Sequence, residues 1–164
     1  MTDATAFGAL TATLWRERES LEMLLFKLVE QRLVLSSGNS RWLHLVDDEI
    51  RAAAESLREA ELIRAAEFEM LARELDLPAD TPLARLADLA PEPWPMVLDE
   101  HRKTLRTLAL EIQSVAADNT RLLQAGEHAI RETLEQLRGG SAGYSASGAT
   151  ASSGATVYLL DQHA

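Results

Sequence analysis

The chain has 164 residues, with 16 Lys and Arg against 26 Asp and Glu, for a net charge of -10. That length fits one domain with a real core, while the acidic balance argues against a phosphate backbone or an anionic membrane surface as partner. The absence of cysteine excludes disulfides and thiolate chemistry and suits a reducing cytoplasm.

The start, "MTDATAFGALTATLWRERES", has no basic region followed by an apolar core, so it does not read as a signal peptide. No run approaches the roughly 18 apolar residues of a membrane span. Abundant Ala, Leu, Glu and Arg with 5% aromatics is the composition of long helices.

The first predicted helix covers 6–36. Phe7, Leu10, Leu14, Leu21, Leu24, Leu28 and Leu35 recur at steps of three and four, the seam of left-handed helix packing. Only Glu17 and Gln31 interrupt it. Leu25, Phe26, Val29 and Leu33 lie beside the seam and widen it, which predicts a bundle of three or more helices. "SSGNS" (36–40) stops the helix, with Gly38 suited to a left-handed cap and Asn39 or Ser40 available to cap the next one.

The second helix is expected over 41–75, with a stripe of Leu43, Val46, Ile50, Ala53 and Leu57 that drifts to Ala65, Phe68, Ala72 and Leu75. The drift predicts a globular bundle rather than one coiled coil. The short loop makes the first two helices antiparallel neighbours. Residues 76–95 hold all five prolines. Pro82 can open a short helix over 83–89. "PEPWP" (91–95) resists helix, and Trp94 reads as a plug over the bundle end.

The third long helix is expected over 96–138. Its seam is Leu98, His101, Leu105, Leu108, Ile112, Val115 and Asn119. After Asn119 the stripe shifts by one position to Leu123, Ile130, Leu134 and Leu137. This helix is longer than either partner, and the shift marks where its neighbour is expected to change. Asn119 has two readings: a buried amide that fixes register, or the mark of an exposed stretch. From 139 to 156, Gly, Ser and Ala make up 15 of 18 residues, too little to bury against the ordering entropy. A flexible tail over 139–164 ending in "VYLLDQHA" is therefore expected, and the helical domain over 1–138. The fold expected is all-α: an antiparallel bundle of three long helices, a short helix in the Pro-rich connection and a disordered C-terminal tail.

Convergent catalytic groups are absent from this pattern. None of His44, His101, His128 and His163 has a Glu three residues before it, so the Glu-x-x-His pairs of a di-iron bundle are missing. His44 with Asp47 or Asp48 has the spacing of a metal pair, and a solvated helix face explains it equally. His101 falls on the seam and reads as a core or boundary histidine. "RERE" (16–19) and "DDE" (47–49) read as solvated faces. No phosphate loop or nucleophile elbow occurs. The residues predict no enzyme, no metal and no cofactor, and leave binding as the work of the chain.

"LWRERESLEMLLFKLVEQRLVL" (14–35), "RWLHLVDDEI" (41–50), "APEPWPMVLDEHRKTL" (90–105) and "DNTRLLQAGEHAIRETLEQL" (118–137), in that order, resemble the FlgN-like flagellar export chaperones of actinobacterial type. The resemblance covers 1–138. It implies a cytoplasmic type III export chaperone that binds hook-associated proteins of the hook–filament junction, with the export apparatus as a further partner. It places cargo recognition in the C-terminal part, here Leu122, Leu123, Ile130, Leu134 and Leu137. The tail is read apart from the resemblance: its apolar end, Tyr158 and Leu159, either folds back over that stripe, adds a second contact to cargo or export gate, or is an inert end. The free protein is expected to be a monomer or weak dimer. The alternative is a non-catalytic helical-bundle adaptor or a self-associating coiled coil.

Overall fold

The computed structural model describes residues 2–78 and 81–143. Four helices account for most of them, and no strand occurs among the described residues: α1 (Thr2–Ser36), α2 (Leu43–Glu74), α3 (Leu83–Leu89) and α4 (Trp94–Gly143). The chain divides into two compact units, Met1–Ala125 and Gly126–Ala164.

In the first unit, α1, α2 and the early part of α4 form the bundle. Helix α1 ends where Gly38, at φ 69°, takes the left-handed conformation that costs glycine nothing. Asn39 then accepts from the Arg41 amide and caps a 3-10 turn, Ser40–Trp42, so α2 begins two residues later than the stripe implied. Helix α2 closes with Asp76 at φ 53°. The Leu77 amide reaches the Ala72 carbonyl at 2.8 Å and the Asp76 amide the Arg73 carbonyl at 3.2 Å, a pattern that satisfies carbonyls the helix leaves open.

Pro82 precedes α3, and its carbonyl accepts from the Arg85 and Leu86 amides. Helix α4 starts at Trp94, two residues before the expected Met96. Pro95 is tolerated there because first-turn amides have no intrahelical acceptor in any case. The other end of α4 runs to Gly143, five residues past Arg138. The rest of the expected tail, with Tyr158 and Leu159, lies outside the described residues.

The core gathers where α3 and the start of α4 meet the start of α1 and the end of α2. Phe7, Leu10, Leu14, Leu71, Leu86, Ala87 and Leu98 form one buried cluster, with Phe68, Leu75, Leu77 and Trp94 packed against it. Trp94 stacks on Phe7 with ring centroids 6.1 Å apart. Each large apolar side chain enclosed here contributes about 1.5–3 kcal/mol. Farther along, α2 offers the small buried residues Ala53 and Ala60, and no comparable cluster of large side chains forms among the described residues.

Polar contacts set the helix directions. Glu17 of α1 meets Arg64 of α2 at 2.5 Å, and Lys27 of α1 meets Glu49 of α2 at 2.8 Å, so α1 and α2 run antiparallel. Phe7 meets Trp94, Trp15 meets His101 and Leu28 meets Asn119, so α1 and α4 run parallel. The run at 16–19 is thus only partly a solvated face, because Glu17 is 8% exposed. Burial pushes its carboxyl above the usual 4.5, with Arg64 opposing. Stability from this group is present below pH 4.5 and is lost as pH rises through the raised value.

His101 behaves in the opposite sense. It is 4% exposed. Burial, and then the Arg18 charge, hold it below the usual 6.5 against the opposing pull of Glu100. The unfolded chain takes up a proton below that usual value while the native histidine resists. Its stability is therefore present above pH 6.5 and is lost as pH falls through the depressed native value. Urea midpoints should drop on mild acidification, and His101→Gln should make that drop smaller.

Candidate partner-binding surface

Two features on α4 follow one another: a buried amide relay, and then an exposed apolar strip. The relay joins all three long helices. The Gln31 side-chain amide donates to Asp47 Oδ1 at 2.7 Å. Asn119 Nδ2 donates to Gln31 Oε1 at 2.7 Å and to the Leu28 carbonyl at 2.8 Å. Both ends of the relay, a carboxylate and a backbone carbonyl, can only accept. Each amide is therefore held with its NH2 toward Asp47 or Leu28 and cannot flip without losing bonds.

Asn119 is 2% exposed, which decides for the buried reading. Its Oδ1 has no hydrogen-bond partner among the described residues, so the relay gives up some stability for a single arrangement. Gln31 and Asn119 are each a polar interruption of the α1 and α4 seams, and the two interrupt at the same level. Asn119→Ala should cost about 1–3 kcal/mol by leaving Gln31 Oε1 without its donor and removing the second bond to the Leu28 carbonyl, read as a lower urea midpoint at unchanged slope.

Along α4 the apolar stripe continues past the relay while its burial stops. Leu98 is fully enclosed and Val115 is 6% exposed, whereas Leu122 is 38%, Ile130 64%, Leu134 49% and Leu137 67% exposed. Leu123 is half-buried, and residues 124–138 are all exposed. In the second unit, Ala129, Ile130, Thr133 and Leu134 line a shallow, almost wholly apolar groove. Thr133 turns its hydroxyl to the Ala129 carbonyl at 2.8 Å, so the groove presents its methyl side with little polar demand. His128 stands 3.6 Å from Glu132 on the exposed surface.

The structure thus brings Ile130 and Leu134 together and carries Leu137 along the same helix. Leu122 and Leu123 belong to the first unit. Tyr158 and Leu159 lie outside the described residues. The pair His44 and Asp47 or Asp48 is engaged otherwise: Asp47 holds Gln31 and Asp48 holds Arg51 at 2.6 Å. No cluster of three or more metal-ligating side chains occurs among the described residues. No described helix is long and apolar enough to cross a membrane.

Sequence reading placed the Glu17 interruption but not its partner Arg64, and treated His101 alone. Trp15, one residue off the Leu14 seam, was the available signal: its indole meets the His101 ring edge-on at 5.0 Å. A family model described as FlgN protein matches residues 1–152. No curated protein and no solved structure matches the chain.

Proposed function

The chain belongs to the FlgN family of flagellar export chaperones, and from that premise we propose that it binds proteins of the hook–filament junction in the cytoplasm and keeps them competent for type III export. The contact runs along late α4, through Leu122, Leu123, Ile130, Leu134 and Leu137. Tyr158 and Leu159 are the further contacts proposed on the tail.

One observation carries this reading: an apolar stripe that is buried or half-buried up to Asn119 and then continues with Ile130 and Leu137 more than 60% exposed. Exposed apolar surface of this kind is normally kept for a partner. A secreted subunit before assembly has helices without their final neighbours, and an amphipathic helix can lie along such a strip. The net charge of -10 keeps the free chaperone from self-aggregating while the strip is open. Binding of this sort uses no catalytic group, metal or cofactor.

Co-purification with each junction protein of the same organism tests the reading. A 1:1 complex is the expected result, and no interaction with any of them overturns it. Sedimentation of the free protein supplies the other arm. A monomer or weak dimer is expected, whereas a tight obligate dimer that hides Ile130 and Leu134 would favour a self-associating adaptor.

A further inference from the structure

Helix α2 carries an apolar strip on the side away from the bundle. Its buried residues, Ala53, Ala60, Leu71 and Ala72, face inward. The turn of the helix lines up Leu62, Ala66 and Met70 on the opposite side, with Ile63 beside them. All four are exposed, Leu62 at 71%. A bundle helix ordinarily turns charged and polar residues to water there, not leucine and methionine. The strip lies in the first unit and shares no residue with the contact proposed for cargo.

Charges at its two ends decide what can lie on it. Glu59 stands one turn before the strip and Arg73 one turn after it, both exposed. Arg73 holds Glu69 along the helix, and Arg58 at the flank holds Glu55 at 3.1 Å, whereas Glu59 forms no ion pair among the described residues. The pattern is balanced about Ala66: Leu62 and Met70 lie four residues to either side of it, Glu59 and Arg73 seven. Two copies laid antiparallel and crossing at Ala66 therefore set Leu62 of each at the level of Met70 of the other, and Glu59 of each at the level of Arg73 of the other. A two-fold axis makes both pairings occur twice. The small Ala66 side chains at the crossing let the helices approach closely. Laid parallel, the same strips set Glu59 on Glu59 and Arg73 on Arg73, and like charges repel. The charge layout thus selects a second copy in one orientation and one register.

We propose that this strip is a self-association surface, on which a second copy of the chain pairs through α2, antiparallel, across a two-fold axis at Ala66. A contact of so few apolar side chains buries less than the roughly 1,200 Å² at which stable interfaces begin, so the dimer is weak and reversible. It stands independently of the export reading, since no cargo residue enters the argument.

Sedimentation equilibrium of the full chain across the micromolar range should show a reversible monomer–dimer equilibrium. Glu59→Arg, which sets arginine against arginine twice, should weaken it about tenfold, and Glu59→Arg combined with Arg73→Glu should restore it. The changed positions are exposed, and circular dichroism checks that each variant stays folded. The chain has no cysteine, so introduced cysteines report the register. Ala66→Cys should cross-link to itself under mild oxidation. Leu62→Cys should cross-link when mixed with Met70→Cys but not alone, because the two copies of position 62 stand about 12 Å apart along the helix direction, beyond the reach of a disulfide. A monomer at every concentration, a double reversal that fails to restore the dimer, or Leu62→Cys cross-linking alone as fast as Ala66→Cys each overturns the pairing. So does a chain that stays monomeric but loses junction-protein binding on Leu62→Asp, which would assign the strip to cargo.

Discussion

Replacing both Ile130 and Leu134 with aspartate should abolish binding of a junction protein while leaving the bundle folded. Both side chains are exposed, at 64% and 49%, and residues 124–138 are exposed throughout. The new carboxylates therefore remain in water in the free protein. The folding cost is limited to helix propensity, a few tenths of a kcal/mol at each position. In the complex the same carboxylates would be carried into an apolar contact without partners, and the transfer free energy of two branched side chains would be lost. Central contacts of this kind cost about 2 kcal/mol or more each when removed, so with two of them affinity should fall by about a thousandfold. Circular dichroism and isothermal titration measure the two halves of this expectation. Loss of helicity would show instead that Ile130 and Leu134 are core. Unchanged affinity would remove the strip from the binding surface. Glu135→Ala, on the same turn but off the apolar line, is the control and should change little.

Phe7→Ala should be the most destabilising single substitution in the first unit. Phe7 is fully enclosed, sits in the buried cluster with Leu71, Leu86 and Leu98, and stacks on Trp94. Truncation removes a ring from a cluster to which three other helices contribute, and the neighbours cannot all collapse into the space. The expected loss is about 3–5 kcal/mol, a large part of the stability of a domain this size and equivalent to about 10 °C in Tm. Phe26→Ala on the same helix should cost under about 1 kcal/mol, because that ring is 54% exposed and surface truncations are cheap. Thermal melts followed by near-ultraviolet circular dichroism, to which Trp94 contributes with Trp15 and Trp42, compare the two. A Phe7 variant that melts with the wild type would mean that the end cluster is not what holds α3 and α4 against α1.

The contrast between the two phenylalanines shows how far the pattern could be read. Phe7 lies on the three-four seam of α1 and is buried, whereas Phe26, which the spacing reads as widening that stripe, is 54% exposed, so periodicity locates the seam but not its width. The short helix over Leu83–Leu89, the left-handed Gly38 and the three long helices were legible in the same way, because turn residues and apolar spacing act over a few residues of local backbone. The start of α4 was set two residues late, because prolines 93 and 95 read as breakers although Pro95 falls in a first turn, where proline does no harm.

Other features depend on residues far apart in the chain. Gln31 and Asn119 were visible as interruptions of two separate seams, yet that one bonds to the other, and both through Gln31 to Asp47, follows only from the parallel setting of α1 and α4. Glu17 was equally visible, but Arg64 lies on another helix with nothing in local spacing to link them. The edge-on contact of Trp15 with His101 likewise joins positions far apart in sequence. The stripe through Leu123, Ile130, Leu134 and Leu137 is legible in the sequence, and the length of the third helix already implies that one end lacks cover; how far each position is exposed follows only from the fold, since an apolar position is buried only if a neighbour covers it.

By itself the sequence determined the helical class, the helix ends set by local caps, the apolar stripes and, through the ordered stretches at 14–35, 41–50, 90–105 and 118–137, the family. The tertiary structure alone decided which polar interruptions meet, which end of the bundle holds the core and how far each position of the α4 stripe is covered. The division has a physical cause: helix formation and capping are satisfied within a few residues, whereas burial and polar pairing are properties of two surfaces, and one chain pattern specifies only one of them at a time.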